Sequence, residues 1–374
     1  VSETLRPETA EQLAEALAEA ACARKTIALG GAFTKNSMGG PLAPANVTIS
    51  TSALSRILQY DPSDLTLSVE AGIRYADLDR ELARNGQMLP LDPPFGEAAT
   101  IGGVLGANTC GSRRRLYGTA RDMLIGMKFA TLAGKLVQSG GMVVKNVAGL
   151  DMGKLLIGSY GTLAAITVAN FKVMPRPAAT RTFLLSRESA EEAVAARDRV
   201  LRGALQPAAI DLLNPRASGG QGWLLALQAG GNTAVLNRYS GELDGARSIE
   251  DEEESAFWRE VREFEACPEA SVVRVSCTLS QVREVMEALP GAAIARAGSG
   301  VCYGRFETAK AAAEWVSGAA STGWKTVVES APEAEKGQIE LWPNPGSDFE
   351  IMRKIKGMFD PGNLLDRGRL YGRL

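Results

Sequence analysis

The stretch TIGGVLGANTCGSRRRLYGTARD, residues 100–122, begins almost bare of side chains and ends in a dense cluster of charge. Gly102, Gly103, Gly106 and Gly111 alternate with small residues, and Arg113, Arg114 and Arg115 follow without interruption. Glycine lets backbone N–H groups turn toward a ligand and lets the ligand come close. A diphosphate suits such a segment, because its oxygens need several donors and the backbone supplies them without side-chain entropy. Two further segments share this character: ALGGAFTKNSMGG (28–40) and GGMVVKNVAGLDMGKLLIGSYGTLAAI (140–166). Gly30 and Gly31 follow an expected strand, with Thr34, Lys35 and Asn36 just beyond. Thr100 to Gly103 form a second candidate nest, so that two nests flank one pyrophosphate. Taken singly, either segment is equally compatible with a tight turn.

The usual nucleotide fingerprints are missing. No GxGxxG opens a helix, and Leu follows both Gly-Lys pairs, at 134–135 and 153–154, so neither is a P-loop lysine. A dinucleotide, if bound, sits on another scaffold.

Composition narrows the rest. The chain has 374 residues, enough for two or three domains. With 45% hydrophobic and 22% charged residues it reads as globular. The net charge of −2 offers nothing global for nucleic acid or an anionic membrane. No apolar run approaches a bilayer span and the N-terminus lacks a signal-peptide pattern, so a cytoplasmic location is expected. Five scattered cysteines without a CxxC pair read as reduced thiols, with no metal site and no Fe–S ligand set. The chain contains 0 histidines, which excludes Ser-His-Asp and Cys-His catalysis and any His-linked flavin. A general base must come from Asp, Glu, Lys, Tyr or Cys.

Periodicity predicts a first helix over residues 6–24, with Thr9-x-x-Gln12 as a capping box. Strands are expected at 26–31, 47–54 and 65–72, then a helix through Tyr75, Leu78 and Leu82 that ends at Asn85-Gly86. A hairpin follows within 122–141, a short helix and loop at 149–161, and a long apolar strand at 162–175. Pro175 and Pro177 mark a boundary. Beyond it, RTFLLS, AAIDLLN, GWLLALQ, SVVRVSC, AAIARAG and GVCYGRF read as strands separated by helices such as 188–202 and 307–319. The acidic run Glu250 to Glu254 reads as a solvated helix start. A last helix spans 347–358. No repeat is evident. The fold class is α+β with an antiparallel sheet in the second half, divided as 1–177, 178–346 and a tail, 347–374.

The order of these segments resembles the FAD-binding domain of the vanillyl-alcohol oxidase / p-cresol methylhydroxylase (PCMH-type) flavoprotein family. Leu29-Gly30-Gly31-Ala32-Phe33-Thr34-Lys35 resembles the P-x-G-G-G-[ST] phosphate loop with one inserted residue. Thr100-Ile101-Gly102-Gly103 through Ala107, Asn108 and Gly111 follow T-[IV]-G-G-x-x-A-x-[NS]-x-x-G. Gly158 to Ile166 follow G-S-E-G-T-L-G-x-I, except at Tyr160 and Ala164. Phe359-Asp360-Pro361 and Leu365 to Arg369 follow F-D-P-x-x-x-L-N-P-G-[RK], with Asp366 and Arg367 in place of Asn-Pro. Within the family the likeness is to FAD-binding subunits of bacterial glycolate oxidases. It is carried by Leu89-Pro90-x-Asp92-Pro93-Pro94, by Arg114-x-x-Tyr117-Gly118-x-x-Arg121-Asp122, and by Val144-Lys145-Asn146-Val147-Ala148-Gly149-x-Asp151. The resemblance is strong over residues 1–177, thinner after that, and returns at the tail.

The resemblance implies non-covalent FAD in an extended pose across a two-subdomain PCMH-type domain, followed by an α+β cap domain. The cofactor residues it implies are Leu29 through Asn36, Pro90, Thr100 to Gly103, Gly106, Ala107, Asn108, Gly111, Tyr117, Gly118, Gly161 and Ile166. Ile166 would lie against the adenine-ribose side, and Asn108 and Gly111 near the ring. Lys35 would offset part of the diphosphate charge. The three arginines remain open between a solvated loop, a ligand for an acidic substrate or the flavin, and a docking surface. Arg114, Lys145, Tyr117 and Arg369 are the catalytic candidates, with Tyr160, Tyr303 and Tyr371 as further substitutes for the missing histidine. Cys110 reads as a small buried filler, with covalent flavin attachment as the alternative.

Three functions fit. The first is FAD-dependent oxidation of glycolate or another small 2-hydroxy acid to the 2-oxo acid, with electrons passed to a non-nicotinamide acceptor. A stand-alone D-lactate or D-2-hydroxyacid dehydrogenase is a variant of this. The second is a flavin-bearing relay or structural subunit, beside a homologous flavin subunit and an iron–sulfur subunit, with any membrane association through those partners only. The third is a protein that keeps the fold for binding alone.

Overall fold

A computed structural model of the chain describes residues 3–143 and 150–374. It divides into two compact units. The first comprises Val1–Thr109, Thr119–Pro175 and Pro345–Leu374. The second comprises Arg176–Asn344 together with the short segment Cys110–Gly118. The linear divisions expected at 177 and 346 fall close to two of these seams, but linear reading did not anticipate the lending of Cys110–Gly118.

In the first unit, a three-stranded parallel sheet runs in the order Glu3–Leu5, Val47–Ser50, Ile27–Gly30. The helix Ala10–Cys22 covers it, burying Leu13 and Leu17 completely against Ile27, Val47 and Ile49. Each such leucine contributes about 1.5–3 kcal/mol. Thr9 caps this helix by accepting the Gln12 N–H at 3.1 Å. The reciprocal half of the expected capping box is displaced by one residue, since the Gln12 side chain accepts from the Glu8 amide.

A five-stranded antiparallel sheet completes the unit, in the order Ile57–Asp61, Thr66–Glu70, Ala165–Lys172, Leu124–Ala130, Leu136–Gly140. Ala165–Lys172 is its centre, which accounts for the long apolar run in the sequence. The tail closes the unit on the parallel sheet. Ile27 donates to Leu364 O, and Asp366 donates to Ile27 O at 2.9 Å, so the C-terminal chain lies along the strand that feeds the first glycine loop.

The second unit is a single eight-stranded sheet with antiparallel pairing throughout. Its order is Arg247–Ile249, Ala179–Arg187, Trp223–Gly231, Ala209–Leu213, Ala293–Arg296, Val301–Phe306, Ser271–Ser276, Lys325–Ser330. All six strands expected in this region form, joined by Arg247–Ile249 and Lys325–Ser330 at the two edges. The topology contains a duplication. Strand, helix Ala190–Arg202, two strands, helix Thr233–Glu242 and strand make one βαββαβ motif. Helices Val282–Ala288 and Ala309–Gly318, with their four strands, repeat it. The two copies join edge to edge through Asp211↔Arg296, Leu212↔Ala295 and Leu213↔Ile294. The sequence shows no repeat because the copies share a pattern of elements and not a pattern of residues.

Between the two copies, helix Asp251–Arg262 lies on the sheet face that carries Thr182 and Leu184. Here the acidic run departs from its solvated reading. Glu254 is 4% exposed and accepts from Thr180, Thr182 and Gln228. Its neighbours Asp251, Glu252 and Glu253 remain exposed in the first turn.

Candidate functional site

A cleft of about 450 Å³ opens in the first unit between the parallel sheet, the helix Ile101–Ala107, the turn at Ser159–Gly161 and the C-terminal tail. Leu29, Gly30, Gly31, Ala32, Phe33, Thr34, Lys35 and Asn36 all line it. Phe33 has φ of +55°, so the loop after Gly30 reverses sharply. The amides of Ala32, Phe33 and Thr34 donate to no protein acceptor among the described residues. Ala32 is exposed and Phe33 and Thr34 are half-buried, so the three amides stand open to the cleft, and successive open amides in a turn suit an anion. Lys35 adds a buried positive charge, its Nζ 5.6 Å from the Phe95 ring centroid.

The second glycine segment works differently from the expectation. It is a helix, not a nest. Thr100 caps it by accepting the Gly103 N–H at 3.3 Å. The Ile101 amide donates to Ile73 O, the Gly102 amide to Ala71 O and the Val104 amide to Thr100 O. Its first amides are therefore spent on protein. Its glycines serve closeness instead: Gly102, Gly103 and Gly106, with Thr100 and Ala107, give the cleft a wall of small residues. A Cβ on Gly31 would lie 2.1 Å from Thr100 Oγ1, so the two glycine segments touch where neither has room for a methyl group.

The tail supplies the remaining polar groups. Asp360 accepts the Leu364 and Leu365 amides and pairs with the buried Lys356 Nζ at 2.6 Å. Lys356 also donates to Thr162 O and Leu365 O, which locks the tail against the Ser159–Thr162 turn. Arg369, 8% exposed, donates to the carbonyl oxygens of Lys35, Asn36 and Gly40, the exit of the glycine loop. Asp366 accepts the Leu29 N–H through Oδ1 at 2.9 Å, while its buried Oδ2 has no partner. Burial pushes the Asp366 carboxyl up to about 7, against the Leu29 hydrogen bond and the more distant charges of Arg369 and Lys356. Gly161, at φ of +77°, must be glycine here, since a Cβ would lie 2.4 Å from Asp366 Oδ2.

Of the other expected cofactor residues, Gly161 and Ile166 line the cleft, whereas Ile101, Pro90 and Asn108 do not. Ile101 is a core residue, and Asn108 ends the helix in the left-handed conformation at φ of 51°. Gly111, Tyr117 and Gly118 belong to the segment counted with the second unit. Lys145 lies outside the described residues. Sequence reasoning left out Leu42 to Ala45, Ser159, Tyr160, Asp366 and Arg367 as lining residues. The signal for the last four was present in the motif matches at 158–166 and 365–369. Nothing in the sequence marks Leu42 to Ala45.

The arginine cluster is divided by its contacts within the second unit. Arg113 donates to Gln228 Oε1 at 3.2 Å. Arg115 reaches Gln206 Oε1 and Pro207 O, with its stem against Gly298. Arg114 is hydrogen-bonded through its backbone alone, to Gly111 O and from the Gly118 amide, and its guanidinium has no hydrogen bond or ion pair among the described residues. Ser112 is buried and donates to Asp211 at 2.5 Å, and Arg296 joins both. Arg296, itself 1% exposed, pairs with Asp211 at 2.6 Å and Glu265 at 2.9 Å. Burial pushes Glu265 up to about 7; Arg296 opposes this and Glu329 adds to it. Among the tyrosine candidates, Tyr303 is buried, with its phenol raised by that burial and by Glu265. Tyr160 and Tyr371 are buried together, oxygen atoms 3.4 Å apart. Tyr117 is half-buried. Cys110 is buried. Among the described residues, no group of three or more metal-ligating side chains converges, and no helix is long and apolar enough to cross a membrane.

Unpaired amides on one wall, a bare helix on the other and a buried cation beside them form a cradle that fits an extended dinucleotide. Known proteins agree with that class. A family described as "FAD binding domain" matches residues 2–140. The Escherichia coli glycolate oxidase subunit GlcE is 32% identical over 262 residues, 68% of each chain. The Bacillus subtilis glycolate oxidase subunit GlcD is 32% identical over 43% of this chain, which spans only 34% of that protein. A D-lactate dehydrogenase of Anaerostipes hadrus is 32% identical over 50% of this chain and 38% of its own length. Among solved structures, alkyldihydroxyacetonephosphate synthase superposes with a TM-score of 0.68 at 17% identity, covering 97% of this chain and 75% of that one. The chain belongs to the PCMH-type FAD-binding flavoprotein family that includes the glycolate oxidase subunits. It is an FAD-dependent oxidoreductase, and FAD is its cofactor.

Proposed function

We propose that this protein is the FAD-bearing subunit of an assembly that oxidises glycolate, or another small 2-hydroxy acid, to the 2-oxo acid. The observation that carries the reading is the guanidinium of Arg114, unengaged among the described residues and flanked by Arg113 and Arg115, both of which are already engaged. An arginine left open in this way suits a substrate carboxylate, which it holds bidentately. Tyr117 stands at i+3 on the same short helix, Arg114–Tyr117, and we assign it to the substrate hydroxyl. Bound FAD supplies the hydride acceptor. Electrons then leave to a non-nicotinamide acceptor. The likeness to GlcE and GlcD, both named as subunits of glycolate oxidase, supports further subunits as partners, and the family resemblance adds a homologous flavin subunit and an iron–sulfur subunit to that reading.

A second reading, in which this chain relays electrons while a homologous partner oxidises the acid, is favoured by one observation. The chain has 0 histidines, and Tyr160, Tyr303 and Tyr371 are all buried. One experiment separates the two. The purified chain, loaded with FAD, is mixed anaerobically with glycolate and separately with D-lactate. Bleaching of the flavin by either acid, lost in Arg114→Ala, supports oxidation at this site. Bound flavin that does not bleach supports the relay.

A further inference from the structure

Asp366 is the least expected group in the cleft. The carboxyl is 7% exposed, lines the cavity, and holds one oxygen on the Leu29 amide while the other has no partner. A buried carboxylate oxygen without a donor costs free energy, whereas a carboxylic acid there becomes a donor itself. The charged groups around it do not fill the gap. On the same tail, Arg369 is occupied by three carbonyl oxygens and Arg367 by Pro44 O. On the last helix, Lys356 is occupied by Asp360, Thr162 O and Leu365 O. The glycine loop brings Lys35, whose ammonium lies over Phe95. The Ser159–Thr162 turn brings Tyr160, whose hydroxyl faces Tyr371. None of these makes a hydrogen bond to Oδ2.

We propose that Asp366 enters the flavin-loaded protein as the neutral acid, its Oδ2 hydroxyl donating a hydrogen bond to an acceptor atom of the bound FAD, so that binding is accompanied by uptake of a proton. The inference rests on the cleft being the FAD site. The anionic diphosphate acts in the same direction, since negative charge nearby further disfavours the carboxylate. Asp366 is also where the sequence leaves the Leu-Asn-Pro-Gly run of its family, and a protonated Asp has the shape and the donor of Asn.

The absence of histidine makes this testable. With 0 histidines, the described carboxyls raised to about 7 are Asp366 and Glu265; Glu265 and Cys277, whose thiol is lowered by its hydrogen bond to Cys302, both belong to the other unit. FAD is titrated calorimetrically into the deflavinated full chain from about pH 6 to about pH 8, in two buffers of different ionisation enthalpy. From a free-protein value of about 7, affinity is expected to fall about tenfold across that range, with close to one proton taken up at the upper end. Asp366→Asn is expected to bind FAD with a flat pH profile near the wild-type affinity at low pH, and Glu265→Gln to keep the wild-type slope. Wild-type affinity that is flat or rises with pH overturns the proposal. So does a folded Asp366→Asn protein that keeps the proton uptake, or that binds more than about tenfold more weakly at every pH. The wild-type proton count stands alone if the variant does not fold. Failure of the wild-type protein to bind FAD at any pH removes the cleft as the FAD site, a result distinct from a flat profile.

Discussion

Replacing Gly31 by alanine tests the contact that joins the two glycine segments. The added Cβ would lie 2.1 Å from Thr100 Oγ1, 2.7 Å from Cγ2 and 2.8 Å from Cβ, so more than 1 Å of separation is needed. The helix cannot retreat freely, because the Ile101 and Gly102 amides are anchored on Ile73 O and Ala71 O. Turning the Thr100 side chain away gives up its bond to the Gly103 amide, a cap whose loss costs about 1 kcal/mol. Overpacking adds about 1–3 kcal/mol. Gly31→Ala is therefore expected to lose about 2–4 kcal/mol in urea unfolding of the FAD-free protein. FAD affinity is expected to drop at least about tenfold, because the displaced loop carries the unpaired amides of Ala32, Phe33 and Thr34. Adding Thr100→Gly removes all three colliding atoms and exchanges one good cap for another, so the double variant is expected to recover to within about 1 kcal/mol of wild type. A single variant with wild-type stability and wild-type FAD affinity would refute the reasoning.

Further outcomes follow from the site and from the second unit. Arg369→Lys keeps the charge but cannot reach three carbonyl oxygens from one plane. It is expected to weaken FAD binding about tenfold in a fluorescence-quenching titration, with glycolate response impaired only through flavin loss. Arg114→Ala is expected to leave the flavin spectrum and thermal stability unchanged while raising the apparent KM for the acid; a fall in stability equal to that of Arg115→Ala would argue against a free guanidinium. Arg296→Met leaves Asp211 and Glu265 buried without their cation and is expected to cost about 3–5 kcal/mol in denaturant unfolding. Glu265 has a folded value raised to about 7 from 4.5, so its contribution is fully present below the unfolded value and is lost as pH rises through 7. Wild-type stability is expected to lose up to about 3 kcal/mol from this group over that window, and Glu265→Gln to remove that part of the slope.

What the sequence reveals here depends on how far apart the interacting residues lie. The cleft lining from Leu29 to Asn36 was legible because its open amides and its reversal are local properties of a strand, two glycines and their neighbours. The wall at 100–107 was legible as a partner of that loop but not as a helix. Glycine-rich composition argues against helix, and what overrides it is Thr100 capping from below and Ala71 and Ile73 accepting from the side. The division of labour among the arginines depends on Gln206 and Gln228, about a hundred residues away in sequence. Glu254 looked like one more solvated acid until Thr180, Thr182 and Gln228 came to lie beneath it. Asp366 could be read as a departure from a motif, but its unpaired oxygen exists only once the cavity does.

The segment Cys110–Gly118 packs with residues that begin at Arg176, although both of its flanks belong to the first unit. Inheritance and engineering meet the same obstacle there. A gene exchange that replaced residues 176–344 with those of a relative would bring in new partners for Ser112, Arg113 and Arg115 while keeping the old segment. Asp211 would change without Ser112, and Gln228 without Arg113. A viable chimera must carry nine residues from within the first half of the chain along with the rest, so the second unit is exchanged as two separated segments and not by one cut at each end.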